Sequence, residues 1–171
     1  MKEFRFVILG AGNIAGKFCE AVSLIEGAAV VAVASKSLTK AMNFAEKNGV
    51  VKAYGDYEEM LQMEKPDGAY IAVTPNDHHR LSMLCLKYGV PVLCAKAMFR
   101  NSREGREVFS LSVGKGIFVM EALWSRFLPA VCKVGEWLDE GRIGKAKLAS
   151  CTIGFRADPD PKRRYYSPEL A

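Results

Sequence analysis

Gly10-Ala11-Gly12-Asn13-Ile14-Ala15 follows the apolar run Phe4-Arg5-Phe6-Val7-Ile8-Leu9 and opens a stretch with helical spacing at Ile14, Phe18, Val22 and Ile25. Strand, glycine turn and helix in that order fit the G-x-G-x-x-[GA] pattern in the context it requires. The first glycine permits a tight turn. The second lets the backbone approach a diphosphate, and the small Ala15 lets the helix pack near the sheet. Free N–H groups and the positive end of the helix dipole favour an anion at that point. Gly10, Gly12, Asn13 and Ile14 are therefore read as a dinucleotide cradle.

The alternation continues outward from this turn. Ala29 to Ala34 reads as a strand buried on both faces. Leu38 to Lys47 reads as a helix stopped by Gly49, and Val51 to Tyr54 as a short strand. Asp56 is placed to cap a helix running to Met63. Ala69 to Val73 is another apolar strand, and a helix from Asp77 to Tyr88 stops at Gly89 and Pro91. Val92 to Cys94, a helix from Ser102 to Val113 and a strand from Ile117 to Met120 complete the series. This predicts an α/β fold, a Rossmann-type doubly wound parallel sheet, over residues 1–121. Beyond it the pattern predicts a helix from Pro129 to Glu140, closed by Gly141, and a strand from Lys145 to Phe155. Residues 122–171 then read as a linker helix and first strand of an incomplete α+β second domain. Its strand edges would be open to a second copy in a homodimer.

The 171 residues are half apolar and one quarter charged, enough for a real core. A net charge of +5 is mild, and the basic run Lys162-Arg163-Arg164 stands beside Asp158 and Asp160. It reads as a solvated loop, so no nucleic-acid partner is expected. The five cysteines form no C-x-x-C pair and have no partnering histidines, which assigns no metal site. They read as small buried hydrophobes suited to a reducing compartment. No run is long enough to span a bilayer and the N-terminus lacks a signal-peptide core, so a cytoplasmic location with no membrane partner is expected.

The end of the second strand bears on cofactor choice. An NAD site usually places Asp or Glu there for the ribose hydroxyls. Here the run is Val33-Ala34-Ser35-Lys36-Ser37, with Lys40 one helical turn on. Ser35 offers a hydroxyl and Lys36 and Lys40 offer cations, a set suited to a 2′-phosphate. NADP(H) is expected over NAD(H). The plainer alternative is that both lysines are ordinary surface residues.

Three later runs carry a family resemblance. Tyr70-Ile71-Ala72-Val73-Thr74-Pro75-Asn76-Asp77-His78-His79 resembles a "YIATPNxxH" segment, Val92-Leu93-Cys94-Ala95-Lys96-Ala97 a "VLCEKP" segment, and Met120 to Pro129 a "MEALWxRFxP" run. Together they resemble the Gfo/Idh/MocA oxidoreductases, and the last points to the branch of dimeric dihydrodiol and NADP-dependent xylose dehydrogenases. The resemblance implies hydride transfer between NADP(H) and a hydroxyl or carbonyl carbon of a sugar or diol. It implies that Thr74, Pro75 and Asn76 line the cofactor beside the nicotinamide ribose, that His79 orients cofactor or substrate, and that Lys96 supports proton transfer. Trp124 and Arg126 would close over the cofactor, and His78 is left on the surface. Lys96 also follows a buried strand at the carboxyl rim, where such sheets bind ligands. Partial burial there would tune it for acid–base work.

Two departures qualify the resemblance. Ala95 stands where the family has Glu, and Ala97 where it has Pro. Alanine disfavours the cis geometry that a proline can hold, so a less rigid aim is expected for Lys96. The family also runs to about twice this length, as two domains of ordinary size. Tyr165 to Ala171 resembles the stretch just before its "GGxLxDxGxY" segment. The expectation is an N-terminal half that binds cofactor with little turnover. The alternative is a non-catalytic NADP-binding regulatory or sensor module.

Overall fold

The computed structural model describes residues 2–154 and 156. β1 (Phe4–Leu9), α1 (Asn13–Val22), β2 (Ala28–Ala34), α2 (Leu38–Asn48), β3 (Lys52–Tyr54), α3 (Tyr57–Glu64) and β4 (Gly68–Ile71) form the first half. α4 (Pro75–Lys87), β5 (Val92–Ala95), α5 (Ser102–Lys115) and β6 (Val119–Ala122) follow, then a 3₁₀ turn at Trp124–Phe127 and α6 (Pro129–Asp139). The strands lie in the order β3-β2-β1-β4-β5-β6, and every pairing is parallel. This is the doubly wound order, with its reversal point between β1 and β4, where such sheets take ligands at the carboxyl rim.

Local chemistry sets the helix ends. Ser37 Oγ accepts from Lys40 N at 3.3 Å, Asp56 Oδ1 from Glu59 N at 2.8 Å and Asn101 Oδ1 from Glu104 N at 3.0 Å, each relieving an orphan donor. Gly49 and Gly116 close α2 and α5 in the left-handed conformation. α1 stops at Val22, short of the expected Ile25, because Leu24 and Ile25 find no apolar partner and stay exposed. α4 begins earlier than expected, at Pro75, whose missing N–H costs nothing in a first turn.

Two cores sandwich the sheet. Val7, Leu9, Ala32 and Ile71 pack against Met60 and Leu61 of α3 and Leu81 and Cys85 of α4. On the other face Ile8, Val33 and Tyr70 meet Ala15 of α1 and Phe44 and Ala45 of α2. On that second face Ile8, Tyr70, Leu93 and Met120 stand side by side across four strands. Phe18 of α1 stacks on Tyr70 with ring centroids 4.2 Å apart. Leu93 and Met120 instead border a cavity between α1 and the Trp124–Phe127 turn.

Three expectations fail. No strand forms over the described residues 145–154, and Phe155 lies outside them. A lone strand has no ladder to satisfy its backbone groups, so nothing stabilises it. Lys162-Arg163-Arg164 and Tyr165 to Ala171 also lie outside the described residues. Cys132 and Cys151 are exposed rather than buried, because their surroundings never join either core; Cys85 and Cys94 are buried as expected. His78 is fully buried rather than on the surface. Among the described residues no helix is long and apolar enough to cross a membrane.

Candidate functional site

The turn after β1 has the geometry its glycines suggest. Gly10 has φ +111°, and a Cβ there would lie 2.6 Å from the Ala72 carbonyl oxygen beyond β4. Only glycine fits such an approach. Gly12 precedes α1 as its N-cap and brings no side chain to the helix's first amides. Those donors face outward with the dipole behind them, a combination that suits a diphosphate.

Beside this turn lies a cavity of about 900 Å³. Its walls include Asn13, Ile14 and Phe18 from α1, Tyr70, Leu93 and Ala95 from the sheet, and Lys96, Trp124 and Phe127 from the segments that follow β5 and β6. The lining is largely apolar with few polar groups, as small-molecule sites commonly are. Asn13, Ile14, Lys96 and Trp124 thus come together as the sequence suggested. Lys96 is exposed rather than partly buried. Arg126 does not join this wall; it borders a smaller neighbouring hollow with Glu121 and Leu123. His79 is also elsewhere: its Nε2 lies 2.9 Å from the Glu107 carboxylate of α5, without hydrogen-bond alignment.

The loop after β5 is held from two sides. His78 Nδ1 lies 3.0 Å from the Ala97 oxygen and 3.1 Å from the Met98 oxygen, and its Nε2 lies 3.0 Å from the Val73 oxygen. Glu121 of β6 accepts from Met98 N at 2.9 Å. The segment that carries Lys96 is therefore tied to the start of α4 and to β6. The Lys96–Ala97 peptide bond is cis, against the expectation raised by the missing proline. Ala95 is buried in the cavity wall and offers no side-chain acceptor there.

At the far end of the rim, Ser35 is buried and its Oγ accepts from Ser37 N at 3.4 Å. Lys36 reaches across to Asp77 in the first turn of α4, with Nζ 2.6 Å from Oδ2. Arg80 Nε donates to the other oxygen of Asp77 at 3.3 Å. Partial burial opposes the charge of Asp77, but Lys36 and Arg80 outweigh it and hold its carboxyl below the usual range. Lys40 is exposed on α2. Thr74 Oγ1 donates to Asn76 Oδ1 at 2.5 Å and Pro75 is buried, so Thr74 to Asn76 form an ordered entry to α4.

The sequence assigns no role to Asp77 or Glu121 and places His78 on the surface. His78 had a signal: with Leu81, Ser82, Cys85 and Leu86 it completes a helical stripe, and all five are buried. Asp77 had none, because its partner lies 41 positions away. Glu121 alternates with its strand neighbours, which says nothing of the loop it holds.

Residues 4–123 match the family model described as an oxidoreductase family with an NAD-binding Rossmann fold. The chain is 39% identical over 160 residues to a mouse (Mus musculus) trans-1,2-dihydrobenzene-1,2-diol dehydrogenase, covering 92% of this chain and 48% of that protein. The human enzyme of the same name is 35% identical over 152 residues, covering 88% and 46%. The chain thus spans about half the length of the curated relatives it matches. Among solved structures, an Agrobacterium radiobacter oxidoreductase in complex with NAD+, L-tartaric acid and magnesium superposes with TM-score 0.79 at 21% identity, covering 84% of this chain and 42% of that one. A 3-ketoreductase from Actinomadura kijaniata in complex with TDP-benzene and NADP gives TM-score 0.75 at 23% identity, covering 84% and 46%. At such identities the two structures speak to the fold alone. With the fold, the glycine turn and the family match in agreement, the chain belongs to the Gfo/Idh/MocA oxidoreductase family and carries its nucleotide-binding Rossmann unit.

Proposed function

We propose that this chain binds NADP(H), and that the protein it represents exchanges hydride between that cofactor and a hydroxyl or carbonyl carbon of a sugar or diol. The observation that carries the reading is the bare amino terminus of α1, closed by Gly10 and Gly12, opening directly beside the cavity. Backbone N–H groups of Gly12, Asn13 and Ile14 would donate to the diphosphate. Lys36, with Ser35 and Lys40 nearby, would hold the 2′-phosphate. Thr74, Pro75 and Asn76 would line the nicotinamide ribose, and Trp124 would close over the cofactor.

The bound cofactor supplies or accepts the hydride. The chain's part is to orient, exclude water and manage a proton. The apolar wall of Ile14, Phe18 and Leu93 keeps water from one face. Lys96, an exposed residue of the cavity wall, would offer a proton to a substrate oxygen or receive one from it. His79 faces α5, which favours a supporting role for it over contact with substrate. Relatives named dihydrodiol dehydrogenases support the diol among the substrate classes. The second reading, a non-catalytic NADP-binding sensor, is favoured by Ala95, which leaves the cavity without the family's carboxylate.

Fluorescence titration tests the cofactor assignment. NADPH is expected to bind more tightly than NADH, and Lys36→Ala to weaken NADPH roughly tenfold while sparing NADH, the worth of a charge-assisted contact. Equal affinities that Lys36→Ala leaves unchanged would contradict the cofactor assignment.

A further inference from the structure

Lys36 and Asp77 make a contact that the cofactor reading does not use. Lys36 follows β2, where a 2′-phosphate would bind, yet its ammonium is engaged by a carboxylate delivered from α4. The pair is close, at 2.6 Å, and unequal in exposure: the Lys36 side chain is 68% exposed and that of Asp77 18%. Asp77 is fixed further by Arg80 Nε at 3.3 Å. The carboxylate is thus the anchored partner and the lysine the mobile one.

An anchored anion at this place acts on two ligands in opposite ways. A phosphate that recruits Lys36 competes with Asp77 for its donors, and it then stands within a few ångströms of a fixed negative charge. Charges at such separations interact appreciably near a protein surface. A ribose carrying a free 2′-hydroxyl meets no such repulsion, and a carboxylate is an acceptor suited to that hydroxyl. The end of β2 lacks the acid of an NAD site, but α4 brings one to the same lysine from 41 positions away.

We propose that Asp77 is a specificity-determining residue that competes with the 2′-phosphate for Lys36, holding down the preference for NADP(H) over NAD(H). The proposal rests on the cofactor reading above and adds a counterweight to it. The selectivity of the site is then a balance between Lys36 and Asp77 rather than the property of the β2 end alone.

The test compares the full chain with Asp77→Asn, Lys36→Ala and the double variant, using NADPH, NADH, 2′,5′-ADP and 5′-AMP at fixed salt. Asp77→Asn keeps shape and hydrogen-bonding size, and a thermal melt of each variant verifies folding. The expected result is a threefold to tenfold rise in the NADPH-to-NADH and 2′,5′-ADP-to-5′-AMP affinity ratios, about what one near-surface charge pair is worth. In the Lys36→Ala background that rise should shrink to the part that direct repulsion by Asp77 contributes. Unchanged ratios in Asp77→Asn, with Lys36→Ala still lowering them, would overturn the role of Asp77 and leave the cofactor reading standing. A rise that persists in full without Lys36 would overturn competition for the lysine. Failure of the parent chain to bind any of the four ligands would overturn the cofactor reading, and the proposal with it.

Discussion

Two residues show how much single positions decide. Gly10 combines φ +111° with a neighbouring Ala72 oxygen only 2.6 Å from where a Cβ would stand, so Gly10→Ala must both strain the turn and push β4 away. The expected loss of stability is at least about 1–3 kcal/mol, read as a lower urea midpoint, with cofactor binding lost as well. His78 serves the other side of the site. Its ring lies against the oxygens of Val73, Ala97 and Met98, so His78→Ala removes at least one hydrogen bond to these carbonyls and opens a cavity. A loss of about 2–4 kcal/mol is expected, with faster amide exchange at Met98. His78→Gln, which can still donate, should recover part of both. Unchanged exchange at Met98 in His78→Ala would show that the histidine does not hold the Lys96 loop.

At the scale of elements, the far edge of the sheet is fastened by a charge cluster. Glu64 at the end of α3 receives Arg5 Nη2 at 3.0 Å and Lys52 Nζ at 2.9 Å, and Tyr54 Oη also donates to it. Burial works against its charge, yet these partners hold the carboxyl below its ordinary 4.5. Its contribution is therefore present above about pH 4.5 and lost as pH falls through the lower folded value. Tyr54 is shifted the opposite way, from 10.0 to about 12, by desolvation and by the Glu64 hydrogen bond. Its contribution is present below pH 10 and lost as pH rises from 10 towards 12. Urea midpoints across pH should fall on both limbs, with Glu64→Gln flattening the acid one and Tyr54→Phe the alkaline one. The elements themselves were legible in the sequence, because alternating apolar runs, cap residues and glycine stops act locally. The glycine turn with Asn13 and Ile14 was legible for the same reason, whereas Lys96 and Trp124 were legible through the family resemblance of their motifs. The Lys36–Asp77 pair and the Glu121 contact were not, since each joins residues that only tertiary packing brings together. The strand expected at Lys145 failed for a related reason: alternation allows a strand, but pairing makes one.

For the whole molecule, one face of the sheet is closed by helices α3 to α5 and the other only partly, by α1 and α2. The cavity over Leu93 and Met120 is the remainder, and it adjoins the bare α1 terminus. A ligand bound across that rim should stabilise the fold by mass action, about 2.7 kcal/mol at a hundredfold excess over Kd, visible as a rise in Tm with NADPH. The most direct test of the account is an amide NMR titration of the full chain with NADPH. The account predicts that the largest shifts fall on Gly12, Asn13 and Ile14, with further shifts around Lys36. Saturable binding that leaves those amides unmoved would contradict it.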